Sequence, residues 1–335
     1  MTEALLLAAS FAVILAGALL FTNAVEWLGH RLGLGEGAVG SLLAAVGTAM
    51  PESLIPVVAM LGGQEGAEEV AIGAIVGAPF LLATIAMFLV GASALGYAKR
   101  RPQGRDLKAH MPTLERDLTV FLVFFAIALA LGLGTPEEVR YPVAIGLVIA
   151  YGVYVRATLR GSGDVQNEDT LEPLVIAMGG SSVDAANPPM GLIVFQLIAA
   201  LAAIVAGAHL FVEELIHIAE EIGIEVIVLS LVLAPLATEL PEKANSFFWV
   251  RDGKDSLALG NITGAMVFQS MLPVAFGLAF TSWDLDKFAI VSMALGLAGG
   301  VVAYWALRLR GRFEAPALAI WAALYVAFVA FVAIA

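Results

Sequence analysis

Two carboxylates stand where a water-soluble side chain is least expected. Glu52 lies inside the apolar stretch 38–62 and Glu242 inside the apolar stretch 224–249. Each directly follows a proline, Pro51 or Pro241, and each has a threonine one helical turn earlier, Thr48 or Thr238. A carboxylate at the centre of a membrane helix costs about 2.5–3.5 kcal/mol on insertion scales, so by default it marks a functional site. The prolines remove a helix N–H, which releases backbone carbonyls toward a cavity. Carboxylate, carbonyl and hydroxyl oxygens together suit a hard cation such as Ca²⁺ or Na⁺. The expected ion ligands are therefore Glu52, Glu242, Thr48 and Thr238, with the two glutamates as the metal pair. A single glutamate of this kind could be protonated and merely packed in a kinked helix; the recurrence of Thr-x-x-Pro-Glu weighs against that.

The second copy is richer in polar groups. Asn261, Thr263 and Gln269 add oxygens where the first copy has Ala74, Val76 and Leu82. Glu239 and Lys243 replace Ala49 and Ser53, at an i, i+4 spacing that favours an ion pair on a helix. Three roles stay open for Lys243: a partner that cancels Glu239, a tenant of a cation position that enters or leaves with protonation, or a side chain that snorkels to the surface. Gln269 and Glu239 join the expected ligands, and Lys243 and Asn261 are expected to modulate the site. His30, His110 and His217 read as loop or interface residues, and His209 falls in a span. With no His-Glu-x-x-His, Walker or serine-nucleophile motif in a credible setting, the expectation is a transporter rather than an enzyme, with no cofactor beyond a transported cation.

Such residues need helices around them, and the composition supplies them. The chain has 335 residues, 60% hydrophobic and 14% charged, with mean hydropathy +0.92. Soluble domains carry about 25% charged residues, and this much apolar surface could not stay soluble. The apolar residues fall in blocks of about 20, the length that spans a hydrocarbon core, and no alternating pattern suggests a β-barrel. Ten spans are predicted: 4–25, 38–62, 70–96, 117–134, 139–158, 191–212, 224–249, 256–279, 287–307 and 315–334. The first lacks the basic flank of a signal peptide and is read as retained. The absence of cysteine excludes disulfides and thiolate metal sites. A net charge of −12 argues against nucleic acid, leaving inorganic cations and the lipid bilayer as partners.

The basic residues test this map. With ten spans, one set of loops holds Arg31, the cluster from Lys99 to Arg116, Arg156, Arg160, Arg251, Lys254, Arg308, Arg310 and Arg312, which is 14 of 17 basic residues. Cytoplasmic loops retain lysine and arginine, so these loops are assigned to the cytoplasm and both termini to the outside. The other face is acidic, with Glu65, Glu68, Glu69, Glu137, Glu138, Glu213, Glu214, Glu220, Glu221 and Glu225. These are either solvated loop faces or a negative vestibule that concentrates cations.

The halves repeat. A shift of 190 positions aligns Ala16-Gly17-Ala18 with Ala206-Gly207-Ala208, Thr48 with Thr238 and Pro51-Glu52 with Pro241-Glu242. After a three-residue slip, Gly73-x-Ile75-x-Gly77-Ala78 matches Gly260-x-Ile262-x-Gly264-Ala265. Five spans per half is an odd number, so the second half enters the membrane inverted, as in secondary transporters with a midplane site. The predicted division is a first repeat at 1–160, a polar cytoplasmic linker at 161–189 and a second repeat at 190–335. The glycine pairs read as close helix contacts.

At these motifs the chain resembles the cation/Ca²⁺ exchanger superfamily. The second-helix motif reads Gly47-Thr48-Ala49-Met50-Pro51-Glu52 and Ala237-Thr238-Glu239-Leu240-Pro241-Glu242. The third-helix motif reads Gly73-Ala74-Ile75-Val76-Gly77-Ala78 and Gly260-Asn261-Ile262-Thr263-Gly264-Ala265. The resemblance implies an all-α membrane protein of ten transmembrane helices in two inverted five-helix repeats, sodium/calcium exchanger-like, in a prokaryotic cell membrane. It implies antiport of Ca²⁺ or a related cation against Na⁺ or H⁺, with Glu52 and Glu242 as shared ligands. The chain departs from the family pattern where motif serines become Ala49, Glu239, Ala78 and Ala265, and where Leu82 and Gln269 take positions at which relatives often have Asn or Asp. The alternative is a member of altered specificity or a non-transporting membrane sensor.

Overall fold

The computed structural model describes residues 2–32, 44–161, 172–178 and 187–335, with side chains described throughout these except at 44–51, 159–161, 178 and 240–245. The long helices are α1 (Thr2–Arg31), α2 (Ala44–Gly62), α3 (Ala67–Gly96), α4 (Met111–Leu131), α5 (Glu137–Gly161), α6 (Met190–Ile222), α7 (Val226–Arg251), α8 (Asp255–Phe280), α9 (Lys287–Arg310) and α10 (Ala315–Ile334). No strand occurs among the described residues. Seven of these helices, α1, α3, α5, α6, α8, α9 and α10, contain stretches long and apolar enough to cross a membrane. The others carry more charge or are shorter: α4 holds Glu115, Arg116 and Asp117 in its second turn, and α7 holds Glu239, Glu242 and Lys243.

Two helices, α1 and α6, overrun the predicted spans. α1 reaches Arg31 rather than 25, and α6 reaches Ile222 rather than 212. Charge ends an apolar span but not a helix, because glutamate is a good helix former. α6 stops only at Gly223, whose φ of 71° makes the left-handed cap that glycine adopts freely. At 1.5 Å per residue the 33 residues of α6 extend about 50 Å, beyond a hydrocarbon core of about 30 Å.

The prolines preceding the two glutamates do not break their helices. α2 and α7 run continuously through Pro51 and Pro241, since a proline deletes one donor and leaves the flanking turns intact. In α3, Pro79 is followed by a π turn at Leu82–Ala86, where the Thr84 hydroxyl donates to Phe80 O at 2.6 Å.

Close approaches organise the bundle. α1 and α6 run antiparallel, with Phe11 on Phe211 at 5.4 Å between ring centroids. A Cβ on Gly17 would lie 2.8 Å from Ile204 Cγ1, and one on Gly207 would lie 2.9 Å from Ile14 Cγ1. α3 lies along α7: the Ser230 hydroxyl donates to Val70 O at 2.8 Å, and a Cβ on Gly77 would run into the Leu231 carbonyl. Gly77→Ala is therefore expected to cost about 1–3 kcal/mol by overpacking. Gly264→Ala, at the counterpart position with no described heavy atom within 4 Å, should leave the thermal midpoint in detergent unchanged. Equal midpoints for the two variants would contradict this packing.

Three of the basic loops meet at one end, as the charge pattern predicts. At one end Arg101 Nη2 contacts Asp255 Oδ1 at 2.6 Å, Gln103 Nε2 donates to Gly253 O at 2.8 Å, and Leu107 N donates to Gly311 O at 3.1 Å. At the other, Arg140 reaches Thr281 O at 3.4 Å, Lys287 Nζ donates to Ala335 O at 3.2 Å, and Glu3, His217, Glu220 and Glu221 line one cleft. Between the halves, the single turn Val175–Met178 docks on α1 and α6. Asn23 Oδ1 accepts from Val175 N at 3.1 Å and Gln196 Oε1 from Ile176 N at 2.9 Å, with Leu174 and Ala177 buried. This part of the predicted linker is anchored through Leu174 and Ala177, while Val175 and Ile176 stay exposed.

Candidate ion-binding site

Glu52 is buried on α2, only 9% exposed, and α2 packs against α3, α6, α7 and α8. The side chains of Thr48, Pro51, Pro241, Glu242 and Lys243 lie outside the described residues, so the expected Glu52/Glu242 metal pair and the Glu239–Lys243 pair do too. Among the described residues no three His, Asp or Glu side chains gather as a metal centre.

The second half supplies the described polar core. Glu239, at mid-helix in α7, is fully buried, and its Oε1 accepts from the Gln269 amide of α8. Gln269 is itself 1% exposed, and its Oε1 has no hydrogen-bond partner among the described residues. A buried acceptor left this way is costly unless something else satisfies it, and a carboxylate beside an amide oxygen is a donor set for a hard cation. Thr238 is buried next to Glu239, its hydroxyl donating to Ala234 O at 3.1 Å. Asn261 Nδ2 reaches the fully buried Ser246 Oγ at 3.4 Å. The structure thus brings together Glu239 with Gln269, and Asn261 with Ser246, both across the α7–α8 contact. Ser246 was not among the expected ligands; its place one turn beyond Glu242 was the available signal.

Thr263 does not join this group. Its hydroxyl points to Asp117 Oδ2 on α4, at 3.0 Å. Helix rotation explains the difference, because Thr263 and Gln269 lie about 120° apart around α8 at 100° per residue.

The two third-helix motifs differ in their surroundings. Gly73, Ala74, Gly77 and Ala78 are all buried, the glycines against α7. Gly260, Asn261, Gly264 and Ala265 are partly exposed, forming one accessible stripe on α8 that leads from the basic end toward mid-helix.

Comparison with known proteins fits this frame. The family model described as sodium/calcium exchanger protein matches residues 2–160 and 192–334. The sodium/calcium exchanger MaX1 of Methanosarcina acetivorans is 42% identical over 74 residues, 22% of this chain and 21% of that protein, so the match spans about a fifth of the relative's length. Among solved structures, an H⁺/Ca²⁺ exchanger CAX superposes with a TM-score of 0.72 at 20% identity, covering 98% of this chain and 81% of that one. The sodium-calcium exchanger NCX_Mj superposes with a TM-score of 0.60 at 20% identity, covering 98% of each chain. Family match and apolar helices together make this an integral membrane protein, and the chain belongs to the sodium/calcium exchanger family.

Proposed function

We propose that the chain is a secondary antiporter that moves Ca²⁺ or a related cation against Na⁺ or H⁺ by alternating access. Ten transmembrane helices in two inverted five-helix repeats, 1–160 and 190–335, would carry it, with the basic loops cytoplasmic and both termini outside. Glu52 and Glu242 are the shared ligands at the midplane, with Thr48, Thr238, Glu239 and Gln269 completing the oxygen set and Lys243 and Asn261 modulating it.

The observation that carries this reading is the fully buried Glu239–Gln269 pair at the middle of α7 and α8, adjoining Thr238 and the Pro241-Glu242 dipeptide. A buried carboxylate in a membrane helix persists where it binds something. The partly exposed stripe on α8, in contrast to the closed packing of Gly73 and Gly77, supports access from the basic end in this conformation. Alternating access requires one end to be sealed while the other is open.

A second reading, altered ion specificity, is favoured by one observation. Leu82, the counterpart of Gln269, is fully buried in the π turn of α3 and offers no oxygen, so the two halves contribute unequal ligand sets. Reconstituted protein tested with Ca²⁺, Mn²⁺, Mg²⁺, Na⁺, K⁺ and pH gradients separates these outcomes. Antiport predicts uptake of at least one divalent cation that collapses when the opposing Na⁺ or H⁺ gradient is removed. Absence of gradient-driven flux for every cation would overturn it in favour of a membrane sensor.

A further inference from the structure

Asp117 is a buried carboxylate that the ion site does not use. It lies in the second turn of α4, 2% exposed, and both its oxygens are engaged. Oδ1 accepts from the Tyr154 hydroxyl of α5 at 2.9 Å and from Arg116 Nη2 at 2.9 Å and Nε at 3.2 Å; Oδ2 accepts from the Thr263 hydroxyl of α8 at 3.0 Å. Arg116 also lies over the Tyr154 ring, 5.0 Å from its centroid. The cluster thus joins α4, α5 and α8.

The Thr263 bond is a departure from what helical threonines do. A mid-helix threonine hydroxyl ordinarily bonds back to the carbonyl one turn earlier. Thr84, Thr119, Thr158 and Thr238 all do so, to Phe80, Glu115, Tyr154 and Ala234. Thr263 instead reaches across to another helix, to an Asp117 side chain that Arg116 and Tyr154 also hold.

Rotation makes this consequential. At 100° per residue, Leu259, Ile262, Thr263 and Met266 share the buried back of α8, while Gly260, Asn261, Gly264 and Ala265 form its accessible stripe. A second polar anchor, Asp255 bonded to Arg101 at 2.6 Å and to Lys108 N at 2.9 Å, lies on the same back face two turns earlier. Both anchors tie α8 to the segment 101–117 of the first half.

We propose that Asp117 is a positioning residue of the exchange site: by holding the Thr263 hydroxyl it sets the rotation of α8, so that Asn261 and Ala265 line the accessible stripe while Gln269 meets Glu239. The proposal rests on the ion-site reading above, and its test has one arm that does not.

In proteoliposomes of the full chain, Thr263→Val should raise the cation concentration for half-maximal flux roughly tenfold, the scale seen when outer-shell partners of metal ligands are removed. Maximal flux should change by less than about twofold, and Thr263→Ser should restore the half-saturation value. Asp117→Asn should act in the same direction, and the double variant should be no worse than the worse single one, because coupled residues are not additive. The second arm uses the absence of native cysteine. An Ala265→Cys thiol should react with a water-soluble maleimide at a rate that Thr263→Val shifts and Thr263→Ser does not. Unchanged half-saturation and unchanged labelling in Thr263→Val would overturn the proposal, whether or not Asp117→Asn folds. If the wild-type chain carries no cation flux, the antiport reading fails and the labelling arm alone decides the positioning role.

Discussion

Glu52→Gln is expected to abolish gradient-driven cation flux, at least about 100-fold, while the protein still elutes as a folded species from size exclusion. Glutamine matches glutamate in shape, so the packing around the buried Glu52 is preserved. Only the charge is lost. A hard divalent cation entering a dehydrated site depends on carboxylate charge to replace its hydration, and affinity scales with ligand charge count. In the proposed midplane site, losing one of the two shared carboxylates should therefore cost about 2.7 kcal/mol or more of cation binding, the equivalent of 100-fold. In the proposed inverted arrangement Glu242 takes the same place in the other half, so Glu242→Gln should behave alike. Flux measured in proteoliposomes at the cation concentration that half-saturates the wild type is the deciding quantity, and wild-type rates in either variant would remove the paired glutamates from the site.

The largest effect on stability is expected at the basic end. Arg101 and Asp255 form an ion pair whose side chains are both 0% exposed, tying the loop after α3 to the first turn of α8. Arg101 Nη2 also donates to Asp106 O at 3.1 Å, but its Nε and Nη1 have no hydrogen-bond partner among the described residues. Asp255→Ala would leave a buried guanidinium with one carbonyl for company. Breaking such a pair from one side costs about 3–5 kcal/mol. Replacing both partners, as Arg101→Met with Asp255→Leu, removes the desolvation problem together with the attraction and should recover most of that loss. Thermal unfolding in detergent should rank wild type and double variant close together, with Asp255→Ala well below. A single variant as stable as wild type would mean that water reaches the pair.

Much of this was legible in the residue order. Apolar blocks of spanning length follow from hydrocarbon thickness, and the basic residues partition by loop because cytoplasmic retention of charge is local. The structure places the loops 97–110, 252–254 and 311–314 at one end as that partition requires. The repeated Thr-x-x-Pro-Glu and glycine motifs identified the family, since each is a short, contiguous pattern that needs no partner to be recognised.

Where a helix ends and which way a side chain faces were not written locally. The predicted spans end at 25 and 212, yet α1 and α6 run on to Arg31 and Ile222, because the ends of a helix depend on caps rather than on hydropathy. Pro51 and Pro241 looked like breaks, and the helices continue.

Sequence by itself determined that this is a helical membrane protein of the exchanger type with acidic groups inside apolar stretches, because apolar length and recurrence of a motif are properties of the chain alone. Only the tertiary structure decided that Glu239 meets Gln269, that Thr263 turns from them to Asp117, and that one glycine motif is sealed against α7 while its repeat stays accessible. Those outcomes depend on the rotation and separation of helices far apart in sequence, and these are set by packing and buried polar anchors that no local pattern contains.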